Sequence, residues 1–88
     1  MNYALRLAGD AVVDLRALAP WLAEDVLDEV ESIARDPGTV RVDSQGEFVH
    51  DFERGSGAER VIVFLRLHRD DQAGLITILA IAACARPR

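Results

Sequence analysis

Arg60-Val61-Ile62-Val63-Phe64-Leu65-Arg66-Leu67-His68 alternates without a break: Val61, Val63, Leu65 and Leu67 share one face, Arg60, Ile62, Phe64, Arg66 and His68 the other. Period-two alternation over this length predicts a half-buried strand. Arg69-Asp70-Asp71-Gln72 follows as a polar turn. Gly74 to Cys84 is then apolar on both faces, with Leu75, Thr77, Leu79 and Ile81 against Ile76, Ile78, Ala80 and Ala82. A strand apolar on both sides belongs in the middle of a sheet.

Working back toward the N-terminus, Gly55-Ser56-Gly57 marks a loop, so Glu47 to Glu53 is expected as the antiparallel partner of this strand. Phe48, His50 and Phe52 lie on its inner face and Glu47, Val49, Asp51 and Glu53 on its outer face. Thr39 to Gly46 is a polar connection with room for a short edge strand at Val40 to Val42. Before it, Leu22, Val26, Val30 and Ile33 recur at helical spacing, widened by Ala23, Leu27 and Ala34. Glu24, Asp25, Asp28, Glu29 and Glu31 fill the opposite side as a solvated face. Pro20 suits the first turn of this helix, Trp21 anchors its start to the core, and Asp36-Pro37-Gly38 ends it. An earlier helix is expected from an Asp10 N-cap through Val12, Leu15 and Ala19. Asn2 to Leu7 alternates as a first strand. The fold class is α+β: a strand, a two-helix hairpin and a three-stranded antiparallel meander, with one layer of helices on one sheet.

The chain has 88 residues, 50% of them hydrophobic, with ten arginines, no lysine and fifteen acidic side chains for a net charge of −5. Residues 1–88 therefore make a single domain with one core and a thin stability margin. The acidic balance argues against a general binder of nucleic acid or anionic membrane, and no direct DNA binding is expected. Cys84 is alone, so there is no disulfide framework and no cysteine-based metal site, which fits a reducing cytoplasm. The N-terminus does not read as a signal peptide, and the longest apolar run falls short of the ~20 residues of a membrane span. All-arginine usage with abundant Ala, Val, Leu, Gly and Asp suggests a GC-rich bacterial gene.

This order of elements resembles the RelE/ParE toxin superfamily (the plasmid-stabilisation type). Tyr3-Ala4-Leu5-Arg6-Leu7 is similar to the family's opening strand, and Asp14-Leu15-Arg16-Ala17-Leu18 to its "DLxxL" first helix. Ile33-Ala34-Arg35-Asp36-Pro37 resembles the end of its second helix. Glu59-Arg60-Val61-Ile62-Val63-Phe64 resembles the "YRVIY" strand, and Leu75 to Ile81 the final "VxVLxI" strand. The resemblance implies the toxin of a two-gene module, held by an antitoxin protein whose C-terminal segment wraps around it. It implies as target either the ribosome, where some members cut messenger RNA, or DNA gyrase, which others inhibit. It implies no cofactor.

The nuclease branch needs cations and proton donors on the exposed sheet face, to activate a 2′-hydroxyl and stabilise a dianionic phosphorane. Arg60 matches the "YRV" arginine. The other positions depart from the pattern, since Glu47, Asp51 and Glu53 stand where basic residues are expected. Ala83-Cys84 replaces the late basic pair, and the chain ends Ala85-Arg86-Pro87-Arg88 without a tyrosine. A hairpin loop from Arg54 to Glu59 would set Glu53 opposite Arg60 and Glu47 opposite Arg66, making both arginines cross-strand ion-pair partners. His68 shares their face and reads either as an acid–base group or as a polar strand-end residue. His50 is expected to be buried and neutral on the inner face, so the two histidines form no metal site. Gly55-Ser56-Gly57 lies between strands and is no phosphate loop, and Ser32, Ser44 and Ser56 have no nucleophile context. Arg86 and Arg88 could meet an acidic partner segment.

The leading expectation is a toxin-like protein that works by binding a protein partner. The first alternative is a diverged ribosome-dependent mRNA endoribonuclease whose catalytic residues are Arg54, Arg60, Arg66 and His68. The second is a small interaction domain without toxin activity, dimerising through an exposed strand edge.

Overall fold

The helix marked by Leu22, Val26, Val30 and Ile33 forms as expected. In the computed structural model, which describes residues 2–56 and 58–86, it spans Pro20–Arg35 (α2), with Pro20 in the first turn. Around it come β1 (Ala4–Leu7), α1 (Gly9–Arg16), β2 (Glu47–Ser56), β3 (Glu59–Asp70) and β4 (Leu75–Ala85). The sheet order is β1-β4-β3-β2, with β1 parallel to β4 and the other pairs antiparallel. The doubly apolar β4 is thus an inner strand. Both helices lie on one face, where Ala11, Leu22, Val26, Val30, Ile33 and Ala34 bury against Phe48, Val63, Leu65, Leu67, Ile76, Ile78 and Ile81. Each large aliphatic side chain buried here is worth ~1.5–3 kcal/mol. Trp21 is half-buried and packs at the margin of this core rather than at its centre.

Strict alternation fails at one place. Leu67 opposes Ile78 but Arg66 opposes Ala80, so Leu79 is an extra residue, a β-bulge. The bulge rotates Ile81 onto the helix-covered face with Ile76 and Ile78, against the expected placing of Ile81 with Leu75 and Thr77. It coincides with the end of β1, whose last contact is Ala8 N–H to the Ile78 carbonyl at 2.9 Å. Past that point β4 has lost its neighbour strand, and the Asp14 carboxylate accepts the Ile81 N–H at 3.0 Å. That bond ties α1 to the sheet.

Other boundaries also move. Ala8, not Asp10, precedes the first helical residue, no side chain caps this helix, and α1 stops at Arg16 short of Ala19. Residues 40–42 form no strand; a single 3₁₀ turn at Pro37–Thr39 leads into an irregular connection, with Val40 and Val42 packed on the core edge. Burial of these two valines, not sheet pairing, explains their apolar character. The hairpin is tighter than expected: β2 runs on through Ser56, Ser56 opposes Glu59, and Gly57 lies outside the described residues. The two-residue shift preserves the faces but changes the pairs. Glu53 opposes Ile62, Val49 opposes Arg66, Glu47 opposes His68, and Gly55 opposes Arg60.

At the far end of the sheet, Arg69 gathers three segments. Its Nη1 donates to the carbonyls of Pro37 (2.9 Å) and Val40 (3.1 Å), and its Nε lies 2.9 Å from Asp71 Oδ1. The Tyr3 hydroxyl donates to the same oxygen at 2.8 Å, an arrangement that raises the phenol above its ordinary pKa of 10.0. Next to it, Asp43 Oδ1 accepts the N–H groups of Glu47 (3.0 Å) and Gln45 (2.8 Å), which lower its carboxyl pKa. Gly46 closes this turn at φ +81°, where a Cβ would meet the Arg69 carbonyl at 2.8 Å.

Candidate binding face of the sheet

Two helices cover only one side of a four-stranded sheet, so the side chains that alternate away from them meet solvent. On β3 these are Arg60, Ile62, Phe64, Arg66, His68 and Asp70; on β2, Glu47, Val49, Asp51 and Glu53. On β4 the same face carries Thr77, Ala80, Ala82 and Cys84, and the β1 pairing adds Arg6 beside Thr77. Around Arg66 its centre is apolar: Val49 is 70% exposed and Phe64 41%, next to the small side chains of Ala80 and Ala82. Phe64 and Val49 stand up as a ridge, and the alanines form a shallow trough beside it of about 250 Å³.

Ion pairs frame this centre. Arg66 Nη2 lies 3.2 Å from Glu47 Oε1, a diagonal contact that survives the register shift. Glu53 pairs not with Arg60 but with Arg86, at 2.6 Å between Nη1 and Oε2. Arg86 reaches it because its N–H donates to the Arg60 carbonyl, extending the β4 pairing by one residue. Arg60 has no ion-pair partner among the described residues; its guanidinium lies over Gly55, the residue opposite it. With Glu53, Glu59, Val61, Ala85 and Arg86 it borders a concavity of about 480 Å³ at the hairpin end of the sheet. Arg88 lies outside the described residues.

The four candidate catalytic side chains do not converge. Arg54 sits on the helix-covered face, where its Nη2 lies 3.6 Å from Glu29 and its Nε 3.8 Å from Asp25, with its guanidinium 4.8 Å above the Phe52 ring. His50 is half-buried on the same side, 3.9 Å from Glu29 Oε2. The acidic face of α2 is therefore engaged by β2 at Asp25 and Glu29 rather than wholly solvated. Arg60, Arg66 and His68 do share the open face, but His68 lies eight steps along the strand from Arg60, roughly 26 Å at the usual rise. His68 packs its ring against the Gly46 turn. Among the described residues, no group of three or more His, Cys, Asp or Glu side chains could hold a metal ion.

Sequence reasoning missed Arg86 as the partner of Glu53, Arg69 as a staple, and the exposed Val49–Phe64 ridge. The ridge had a signal: both residues fall on outward sets, and two short helices cannot cover both faces of a sheet.

No family model matches the chain, and no curated protein matches it either. Solved structures do. A chain of the toxin–antitoxin complex RelBE2 from Mycobacterium tuberculosis superposes with a TM-score of 0.70 at 22% identity, covering 96% of this chain and 100% of that one. The E. coli toxin RelE in its free state, as a mutant with two arginines replaced by alanine, gives 0.71 at 13% identity, over 93% of this chain and 83% of that one. The intact E. coli RelBE complex gives 0.66 at 14%, over 96% and 99%. The α+β architecture expected from the sequence is the fold of these toxins.

Proposed function

On the RelE toxin fold that this chain adopts, we propose that it is the toxin-like component of a bacterial toxin–antitoxin module, working by protein binding. An antitoxin holds it in the cytoplasm, and its target is a protein surface of the kind offered by DNA gyrase, or none if the chain is an inactive descendant. The observation that carries this reading is the make-up of the open face: Val49, Phe64, Ala80 and Ala82 surround an Arg66 already paired with Glu47, and Glu53 neutralises a second of its four arginines, Arg86. Apolar centres with polar rims suit protein partners. Phosphate contacts need free, clustered cations instead.

The ribonuclease reading keeps one supporting observation, Arg60 beside the concavity with no ion-pair partner among the described residues. It rests on that arginine with Arg66 and His68, spread along β3, and without Arg54 on the same face. Growth of bacteria on induced expression, alone and with the adjacent open reading frame, tests the proposal. Arrest that the neighbour relieves, with transcripts intact, is expected. Transcript cleavage abolished by Arg60→Ala would move the assignment to the nuclease, and unimpeded growth with soluble protein would remove the active-toxin reading.

A further inference from the structure

We propose that the open sheet face also binds a second copy of this chain, giving a weak face-to-face dimer related by a two-fold axis. The inference goes beyond the toxin-like reading and does not depend on it.

Shape is the first argument. Phe64 on β3 stands directly beside Ala82 on β4, and Arg66 separates Val49 on β2 from Ala80, so Phe64 and Val49 flank a trough floored by Ala80 and Ala82. A two-fold axis running between ridge and trough lays each ridge in the partner's trough, as an isologous contact requires. Sheets packed in this way keep their strands within about 30° of each other.

Charge is the second. The face carries Arg6, Arg60, Arg66 and Arg86 against Glu47, Asp51, Glu53 and Asp70, a net charge of zero. The net of −5 for the whole chain therefore sits elsewhere, as an excess of five acidic groups over arginines. Two copies meeting through this face bring together their least charged surfaces and hold their acidic sides apart. The strand edge is a worse route. Every same-face antiparallel register that pairs most of β2 with its copy sets one of Glu47, Asp51 or Glu53 opposite another.

Area fixes the strength. Three strands of ten to twelve residues, with the four-residue β1 at the margin, offer on the order of 500–600 Å², less than the ~800 Å² per partner of a standard interface. A contact below the standard size is weak and reversible, so the range to sample runs from micromolar to millimolar.

Sedimentation velocity of the full chain across that concentration range is the test. The mass should rise from 9.7 kDa toward twice that value with increasing concentration. Phe64→Glu should hold the chain monomeric at every concentration while its circular dichroism stays that of the folded wild type. Val13→Glu, a change at a 67% exposed position on α1, should dimerise like the wild type. Cys84 is exposed on the same face, and a short bismaleimide should join two copies through it in the wild type but not in Phe64→Glu. A monomer throughout, an open-ended series of larger species, or a dimer abolished by Val13→Glu and kept by Phe64→Glu would overturn the proposal.

Discussion

Phe64 and Leu65 are neighbours on β3, yet one is 41% exposed and the other fully buried. The same contrast holds between the two faces of the sheet. On the helix side, Val63, Leu65, Leu67, Ile76 and Ile78 close against α1 and α2, and the charges there settle into contacts between α2 and β2. On the open side Val49, Phe64, Ala80 and Ala82 stay in water around Arg66, beside the exposed Glu47–Arg66 and Glu53–Arg86 pairs. The first face explains why the chain folds. The second stabilises the monomer little, so its apolar side chains point to a role outside folding.

Substitutions on the two sides of β3 are the sharpest way to break this contrast. Leu65→Ala should cost about 2–5 kcal/mol, enough in so small a domain to leave much of it unfolded by chemical denaturation. Phe64→Ser, one residue away and 41% exposed, should cost only about 1 kcal/mol in the same urea titration. Equal losses would mean that the open face contributes to folding after all.

Asp14→Ala comes next. It removes the acceptor of the Ile81 N–H at the bulge, where β1 no longer reaches, and should cost about 1–3 kcal/mol. Faster amide exchange at Ile81 than at Ile78 would localise the loss. Arg66→Ala, which breaks the exposed pair with Glu47, should change stability by less than about 1 kcal/mol.

The smallest effect is in pH. Asp43 is held below its ordinary carboxyl value of 3.8 by the N–H groups of Glu47 and Gln45. Its contribution is therefore complete above that value and is lost as pH falls through its lower folded-state pKa. A melting series below pH 4 should show the wild type converging on Asp43→Asn. Tyr3 runs the other way: its raised pKa gives stability that is present below pH 10.0 and lost above it, as the phenol ionises.

Much of the helix-covered side was legible in the sequence. The spacing from Leu22 to Ile33 fixes α2, and alternation from Val61 to Leu67 fixes which face of β3 is buried. What escaped are features set by pairs of distant segments. The shortness of β1, and with it the bulge at Leu79, depends on where α1 turns away. The hairpin register depends on whether Gly55 and Ser56 turn or continue the strand, and local composition favours the turn. That misreading assigned Glu53 to Arg60, whereas β4 extends far enough to bring in Arg86. Arg69 looked like an ordinary turn residue because its two carbonyl partners lie some thirty residues away, at Pro37 and Val40. The open face was written in the sequence as the outward sets of three strands. Its charge pairing was not.

The central claim is that the apolar centre of the open face, and not its arginines, carries the function. Induced expression of wild type, Phe64→Glu and Arg60→Ala, with growth and transcript integrity followed together, tests it most directly. The account predicts arrest with intact transcripts for wild type and Arg60→Ala, and growth for Phe64→Glu as a folded, soluble protein. Arrest by Phe64→Glu, with cleaved transcripts that Arg60→Ala restores to full length, would contradict it.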